Sequence, residues 1–531
     1  MPDTISYDLL HQPWLPCERP NGSRVLVGIE EALIQAHTFS ALHDESPLVT
    51  ATLHRLLLAI LQRVFLPETM AEWVTLWDVA AFHPAKVRDY LTKWKDRFDL
   101  FHPDRPFLQV ANLRQILQKE RGKDPEATEA WRLSLEASRY SGATSLFEAL
   151  PPEHGLEPKQ AARALLGYLG FTPGGRIQNE SESWKAGPLR GGAVVLLRAD
   201  TLHKTLLSNL VWQPRRQPLD LPPWEREAST PRATRAPYGQ IDILVWPSRR
   251  VELIPRRDTS GMVFVQEVIT AAGQRLEADT PDPMFGYVVR DPKRPPLAIR
   301  IEKERSVWRD AAALFDAATG ADVFRRPAAC TQLAELVRDG IVPRAARFQV
   351  EILGLASNQA AIDLWREDRM PLPPVLFTDG PRLSALRQSL SHAEDLAKAI
   401  DFKVLGTLGE NTLAPSNRDA HKEDVRQLKD ALGAMSAYWS TLGQNFGVWL
   451  DALGSTEDID AEVARWKGIL RATARKVVDD AELHLGTGAR ALQAGAKANQ
   501  KLRRVLLEVL GTPVGSAPTQ TATATTEGAT A

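Results

Sequence analysis

The sequence predicts an α+β protein: an irregular mixed α/β domain over residues 1–379, a four-helix bundle over 380–511 and a disordered tail over 512–531. Three observations carry this division. A chain of 531 residues is too long for one compact core, so two or three domains are expected. Strand-like and helix-like runs are interleaved as far as Gly380, and beyond it only helical spacing remains. Thr512 to Ala531 has one charge, Glu527, and no large apolar side chain beyond Val514.

Composition narrows the class. A hydrophobic content of 44% and a charged content of 25% belong to a soluble globular protein. No apolar run approaches the length needed to cross a bilayer, and Met1 to Ser6 lacks a secretory pattern, so a cytoplasmic location is expected. Cys17 and Cys330 make neither a disulfide framework nor a four-ligand zinc site. A net charge of −1 argues against a free-standing nucleic-acid binder. From Phe171 to Ser260, however, 14 Lys/Arg stand against 9 Asp/Glu. That excess suits local contact with phosphate, and equally a solvated face.

In chain order, Trp14-Leu15-Pro16 and Arg24 to Val27 read as a hairpin around Pro20-Asn21-Gly22. Ile29 to Ala36 reads as a helix. Pro47 opens a stronger one with Leu53, Leu56, Leu57, Ile60 and Leu61 on one face. Trp73 to Ala81 and Val87 to Phe98 are helical. Phe98 to Phe107 is a loop whose aromatics are buried anchors, and Pro158 to Leu169 is again helical. Ala193 to Leu197, Ile241 to Trp246 and Arg249 to Ile254 read as strands. Past Gly380, Val425, Leu428, Leu432, Met435, Trp439, Leu442, Phe446 and Trp449 form an unbroken apolar seam. Leu383 to Ile400, Ala461 to Leu485 and Ala489 to Leu510 complete a bundle. Arg465, Lys467, Arg471, Arg475 and Lys476 could follow a DNA strand or keep the bundle soluble.

Three stretches are candidates for contact with a ligand. Gly354 to Ile362 follows an apolar strand-like run and precedes a polar, helix-like run from Asp363 to Asp368. Gly354, Ser357 and Asn358 are turn formers, so a tight loop presents Gln359, a side chain that both donates and accepts hydrogen bonds. On its own this is an ordinary polar turn. Leu169 to Arg176 sets Gly174 and Gly175 after a proline, which makes either a flexible turn or bare backbone that can lie close against another surface. No Gly-Lys-Ser/Thr follows, which excludes a P-loop. Asp291 to Pro296 is a stiff basic loop between extended segments Tyr287 to Arg290 and Leu297 to Ile301; its Lys293 and Arg294 suit contact with DNA and equally the charges a surface loop routinely carries.

Catalytic chemistry is missing from the pattern. His43-Asp44 could ligate metal, but no further histidines and aspartate follow at fitting distances, so a solvated loop or helix cap is expected. Nucleophile elbow, zinc-protease, kinase and dinucleotide motifs are all absent.

The Asn-Gln-Ala triplet at 358–360 resembles the wedge of the CasA family, the large subunits of type I-E CRISPR surveillance complexes (Cascade). Four stretches agree in order and spacing: Leu9 to Pro16; Ser46-Pro47-Leu48 with His54 to Leu58; Gly187 to Gly192; and Thr205 to Leu210. The resemblance implies a non-catalytic subunit without a cofactor, an α/β domain followed by a four-helix bundle, and a seat near the 5′ end of the CRISPR RNA. It implies recognition of a protospacer-adjacent motif in double-stranded DNA from the minor groove. Gln359 would be the wedge, Asn358 its brace, and Ala360 would lie against the groove. Gly174 and Gly175 would be the glycine loop. Lys293 is the best match for the groove-reading lysine, with Arg290 and Arg294 as rivals. The other Cascade subunits and a trans-acting helicase–nuclease are the implied partners. Some relatives place paired zinc cysteines before the glycine loop; none occurs here between Ser141 and Gly170, which leaves contacts near Phe147 unassigned. The alternatives are a scaffold that binds only protein and a metal-dependent hydrolase using His43.

Overall fold

A computed structural model describes residues 5–136, 155–177, 179–215, 217–227, 230–288, 297–316, 324–358, 361–413 and 418–512. The chain forms two compact units, Met1–Asp379 and Gly380–Ala531.

The first unit is built around the helix Pro47–Phe65. Proline at its start costs no hydrogen bond, and Ser46 accepts the Val49 N–H at 3.3 Å as the cap. Every residue from Pro47 to Gln62 is buried. This corrects the expectation on apolar length: the helix is long and apolar enough to cross a membrane, but 83% of its most apolar window is packed inside the protein. The helix Pro158–Phe171 and the strand Gln349–Asn358 pack on it. Arg55 lies on this helix, almost fully buried. It donates to Asp282 at 2.9 Å and to the carbonyls of Ile243 and Leu244 at 2.6 and 3.1 Å. Three acceptors thereby satisfy a charge that burial would otherwise make costly.

The amino-terminal hairpin pairs Leu15–Glu18 with Arg24–Val27, and Ala41–Leu42 adds a third strand. The loop from Phe98 to Phe107 anchors through both of those rings, fully buried and stacked with centroids 5.4 Å apart. A second sheet pairs Arg249–Arg257 with Val263–Ala272, its register shifted by a bulge between Val265 and Glu267. The run Ile241 to Trp246, expected as a strand, instead contains the short helix Gln240–Leu244. Polar capping decides this: Asp220 accepts the N–H groups of Ile241 and Asp242 at 3.3 and 2.8 Å. Asp242 in turn is buried against Arg226 and Arg235.

A third sheet has the order Ala361–Pro371, Gln349–Asn358, Val194–Arg198, all antiparallel. Two expectations fail here. Gly354 lies within a strand rather than in a turn, and Asp363 to Asp368 is strand rather than helix. Polar residues of that run are held from outside the sheet, Arg366 donating to the Arg305 carbonyl and Asp368 accepting the Val307 N–H, each at 3.5 Å, which local spacing does not show.

In the second unit, Gly380–Ala399 continues through a wide helical turn, Ile400–Leu405, into Gly406–Thr412. Arg418–Leu432, Ala434–Ser455, Ile459–His484 and Ala489–Leu510 follow. Trp449 and Trp466 fill the core with rings 4.8 Å apart, and their indole N–H groups donate to Glu462 and Ser389 carbonyls at 3.0 Å. The expected unbroken seam is interrupted: Gly433 takes a left-handed conformation, φ +61°. The helix restarts with a shifted phase, so Tyr438 rather than Trp439 is buried in the core.

Candidate nucleic-acid interface

Gln349–Asn358 and Ala361–Pro371 make a long hairpin whose register runs from Gln349 opposite Pro371 to Asn358 opposite Ala361. The third strand, Val194–Arg198, covers only Gln349 to Leu353. From Gly354 outward the hairpin continues as a two-stranded arm, and exposure rises to Ser357 and Asp363 near its end. A bulge between Ala356 and Ser357 adds local twist. Gln359 and Ala360 lie outside the described residues, as do the side-chain surroundings of Asn358.

The root of this arm is an ion-pair cluster that the sequence did not reveal. Glu351 is fully buried. Arg369, opposite it in register, donates to Glu351 at 2.8 Å and reaches Glu367 at 2.6 Å, while Arg198 approaches Glu351 at 3.6 Å. Burial alone would raise the Glu351 carboxyl, but Arg198, His54 and Arg369 hold it below the usual carboxylate range. Burial and the Glu351 charge push Glu367 up.

His43 stands 3.6 Å from Glu367, so the fold does gather His43, Glu351 and Glu367, with ligand atoms within 4.8 Å of one another. The expectation that His43 lacks fitting partners is therefore corrected. The two guanidinium groups already balance the two carboxylates, however, and burial pushes the His43 imidazole toward its neutral form. Such charge balance describes a structural anchor for the arm better than a hydrolytic centre.

The second element is a glycine ribbon, Gly175–Arg176 paired with Ser183–Trp184. Gly175 has φ +112°, a backbone open to glycine. A Cβ on Gly174 would stand 3.0 Å from the Ala186 nitrogen across the ribbon. The two legs are closed by Gly187 N–H donating to the Thr172 carbonyl at 2.8 Å. Behind them lies Arg249, 2% exposed, which donates to the carbonyls of Pro173 and Lys185, each at 2.9 Å. Ser248 adds a 2.6 Å bond to the Leu169 carbonyl. In sequence Arg249 reads only as part of a strand. An arginine at an inward position of an apolar strand was the available signal.

The third element is a hairpin root, with Tyr287 opposite Ala298 and Val288 opposite Leu297. Lys293, Arg290 and Arg294, between these strands, lie outside the described residues. The root packs beside the arm: Ala193 N–H donates to Ile299 at 2.7 Å, and a Cβ on Gly354 would meet Ile301 at 3.1 Å. Arg300 donates to the Gly191 carbonyl at 2.9 Å, and Gly192 lies directly against the Phe285 ring. Gly187 to Gly192 is thus the junction through which the ribbon, the arm and the Lys293 hairpin root meet.

Much of the arginine excess from Phe171 to Ser260 is internal. Arg226 and Arg235 serve the buried Asp242 carboxylate, and Arg249 and Arg250 serve buried carbonyls. In the bundle, Arg471 is likewise engaged, donating to the carbonyls of Leu510 and Gly511 at 3.1 and 2.7 Å, whereas Arg475 and Lys476 are exposed.

Comparison with known proteins fits this architecture. The crystal structure of CasA from Thermus thermophilus superposes with a TM-score of 0.79 at 28% identity, covering 95% of this chain and 100% of that one. Cse1 from Acidimicrobium ferrooxidans shares the fold with a TM-score of 0.78 at 24% identity, over 96% and 99% of the two chains. In sequence, CRISPR-associated protein CasA/Cse1 of Thermus thermophilus is 32% identical over 523 residues, 95% of this chain and 98% of its own. The fold is thus that of CRISPR-associated large proteins with an α/β unit and a helical unit. The family model for CRISPR-associated protein Cse1 matches residues 8–477, and the chain belongs to that family.

Proposed function

We propose that this chain is the large, non-catalytic subunit of a type I-E CRISPR RNA-guided surveillance complex in the cytoplasm. It reads a protospacer-adjacent motif in double-stranded DNA from the minor groove and begins strand separation. Family membership supports the assembly, as does the fold shared with a chain of a solved CRISPR RNA-guided surveillance complex, TM-score 0.72.

The observation that carries the DNA-opening part is the arm. Its two strands run past their sheet neighbour to Asn358 and Ala361 and are rooted beside the glycine ribbon and the Lys293 hairpin. Gln359 then acts as the wedge, braced by Asn358, with Ala360 against the groove. Gly174 and Gly175 bring bare backbone to the groove floor, and Lys293, or Arg290 or Arg294 in its place, reads the groove edge. The minor-groove pattern is degenerate, so several motifs are accepted. Wedging costs a few kcal/mol of unstacking, offset by contacts to the parted strands. Pairing with the CRISPR RNA supplies the remaining specificity. The bundle holds the displaced strand and helps present the complex to the helicase–nuclease.

In the assembled complex, Gln359→Ala lowers strand opening, read by permanganate reactivity of the first target bases, more than motif binding read by gel shift. Equal loss of both steps, or loss of neither, contradicts the wedge and favours a protein-only scaffold.

A further inference from the structure

The glycine ribbon has two unlike faces. Trp184 turns inward, packed with Ile177 and Ala272, and its ring is covered by Arg275 at 4.2 Å and Arg232 at 4.9 Å. Arg232 is paired with Glu182 at 2.9 Å, and Glu180 lies 3.8 Å from both Arg232 and Arg250. Side chains alternate along a strand, so Arg176 and Ser183, paired across the ribbon, lie on the face opposite Trp184, and Gly174 and Lys185 flank the paired residues. Arg176, Ser183 and Lys185 are exposed, and neither cation has an ion-pair partner among the described residues. The exposed part of the ribbon thus offers two unpaired cations and one hydroxyl, while its exposed carboxylate, Glu182, is paired with Arg232. Its backbone is fixed from behind by Arg249.

Resting on the reading of this ribbon as a DNA-contacting element, we propose that Arg176 and Lys185 bind backbone phosphates bordering the groove that Gly174 approaches. The geometry gives them a positioning role rather than a reading role. A planar guanidinium and an ammonium on a rigid ribbon match phosphate oxygens, and phosphates carry no sequence. Ser183, directly opposite Arg176, offers a hydroxyl donor between them.

The test uses the reconstituted complex with R176Q/K185Q, and motif-bearing and motif-lacking duplexes titrated between about 50 and 200 mM salt. Each lost phosphate contact flattens the log K against log[salt] slope by about 0.9, so the double variant flattens it by roughly 2. Affinity falls by a similar factor for both duplexes, leaving motif preference unchanged. Arg176→Lys retains the wild-type slope. An unchanged slope overturns the proposal, and so does altered motif preference, which would make these side chains base readers. Motif preference of the wild-type complex tests the underlying reading separately. If it is absent, that reading fails whatever the slope does. Both positions are exposed and unpaired, so an unshifted melting curve certifies the fold.

Discussion

Arg249 is the residue on which the glycine ribbon depends. Its guanidinium spans the carbonyls of Pro173 and Lys185, one on each leg, so removing it leaves buried acceptors facing each other without a donor. Arg249→Ala destabilises the amino-terminal unit by on the order of 3 kcal/mol, measured by thermal unfolding. It also weakens motif binding by the assembled complex at temperatures where the fold is intact. Arg249→Lys keeps the charge but loses the planar fork, so it recovers stability more than binding. Normal motif binding by a folded Arg249→Ala complex would separate the ribbon from recognition. A bulky residue at Gly174 is a less clean probe, because its Cβ would already press on the Ala186 nitrogen across the ribbon. At this scale Pro173-Gly174-Gly175 alone left both a flexible turn and a close-lying bare backbone open, and the structure makes it one leg of a paired ribbon. The role of Arg249 was not readable, because its acceptors lie 64 and 76 residues away in the chain.

Among the elements, the core helix and the long hairpin illustrate what local pattern can and cannot convey. The helix Pro47–Phe65 was legible because its start signals and its apolar spacing agree. The second strand of the hairpin was not. Asp363 to Asp368 reads as a polar helical run until distant partners are placed beside it: Arg366 donates to the Arg305 carbonyl, Asp368 accepts the Val307 N–H, and Glu367 meets Arg369 and His43. Likewise Ile241 to Leu244 became a helix only through Asp220, a cap some twenty residues upstream. The core helix also makes the fold sensitive to acid. Burial pushes the His54 imidazole down to about 4 from 6.5, and its Nδ1–H donates to the Thr50 carbonyl at 2.9 Å. Burial acts in the same direction on His203. Below about pH 6.5 the unfolded chain binds these protons and the folded chain does not. Stability of the amino-terminal unit therefore falls as pH drops from that value toward 4, by on the order of 3 kcal/mol for His54 when the window is fully crossed. Thermal unfolding at about pH 7.5 and about pH 5 reads this, and His54→Leu loses less between the two. An equal loss in that variant would show that His54 does not carry the effect.

For the whole molecule, a net charge of −1 is compatible with DNA recognition when cations are placed locally. The structure separates the basic residues of 171–260 into those consumed inside the fold, such as Arg226, Arg235 and Arg250, and those left outside, among them Arg176 and Lys185. Counting charges in sequence could not make that separation, since it depends on which carboxylates the fold brings near. The change to helix alone past Gly380 was plain in the spacing, whereas the break at Gly433 was hidden because the apolar residues on either side keep nearly the same period. The account as a whole holds that the arm from Gly354 to Ala361 enters duplex DNA beside the recognised motif. A photo-crosslinking side chain placed at Gln359 in the otherwise intact complex tests this most directly. The account predicts adducts at the first target base pair next to the motif, and their loss on a duplex without it. Adducts confined to neighbouring protein subunits, or equal DNA adducts with and without the motif, would contradict it.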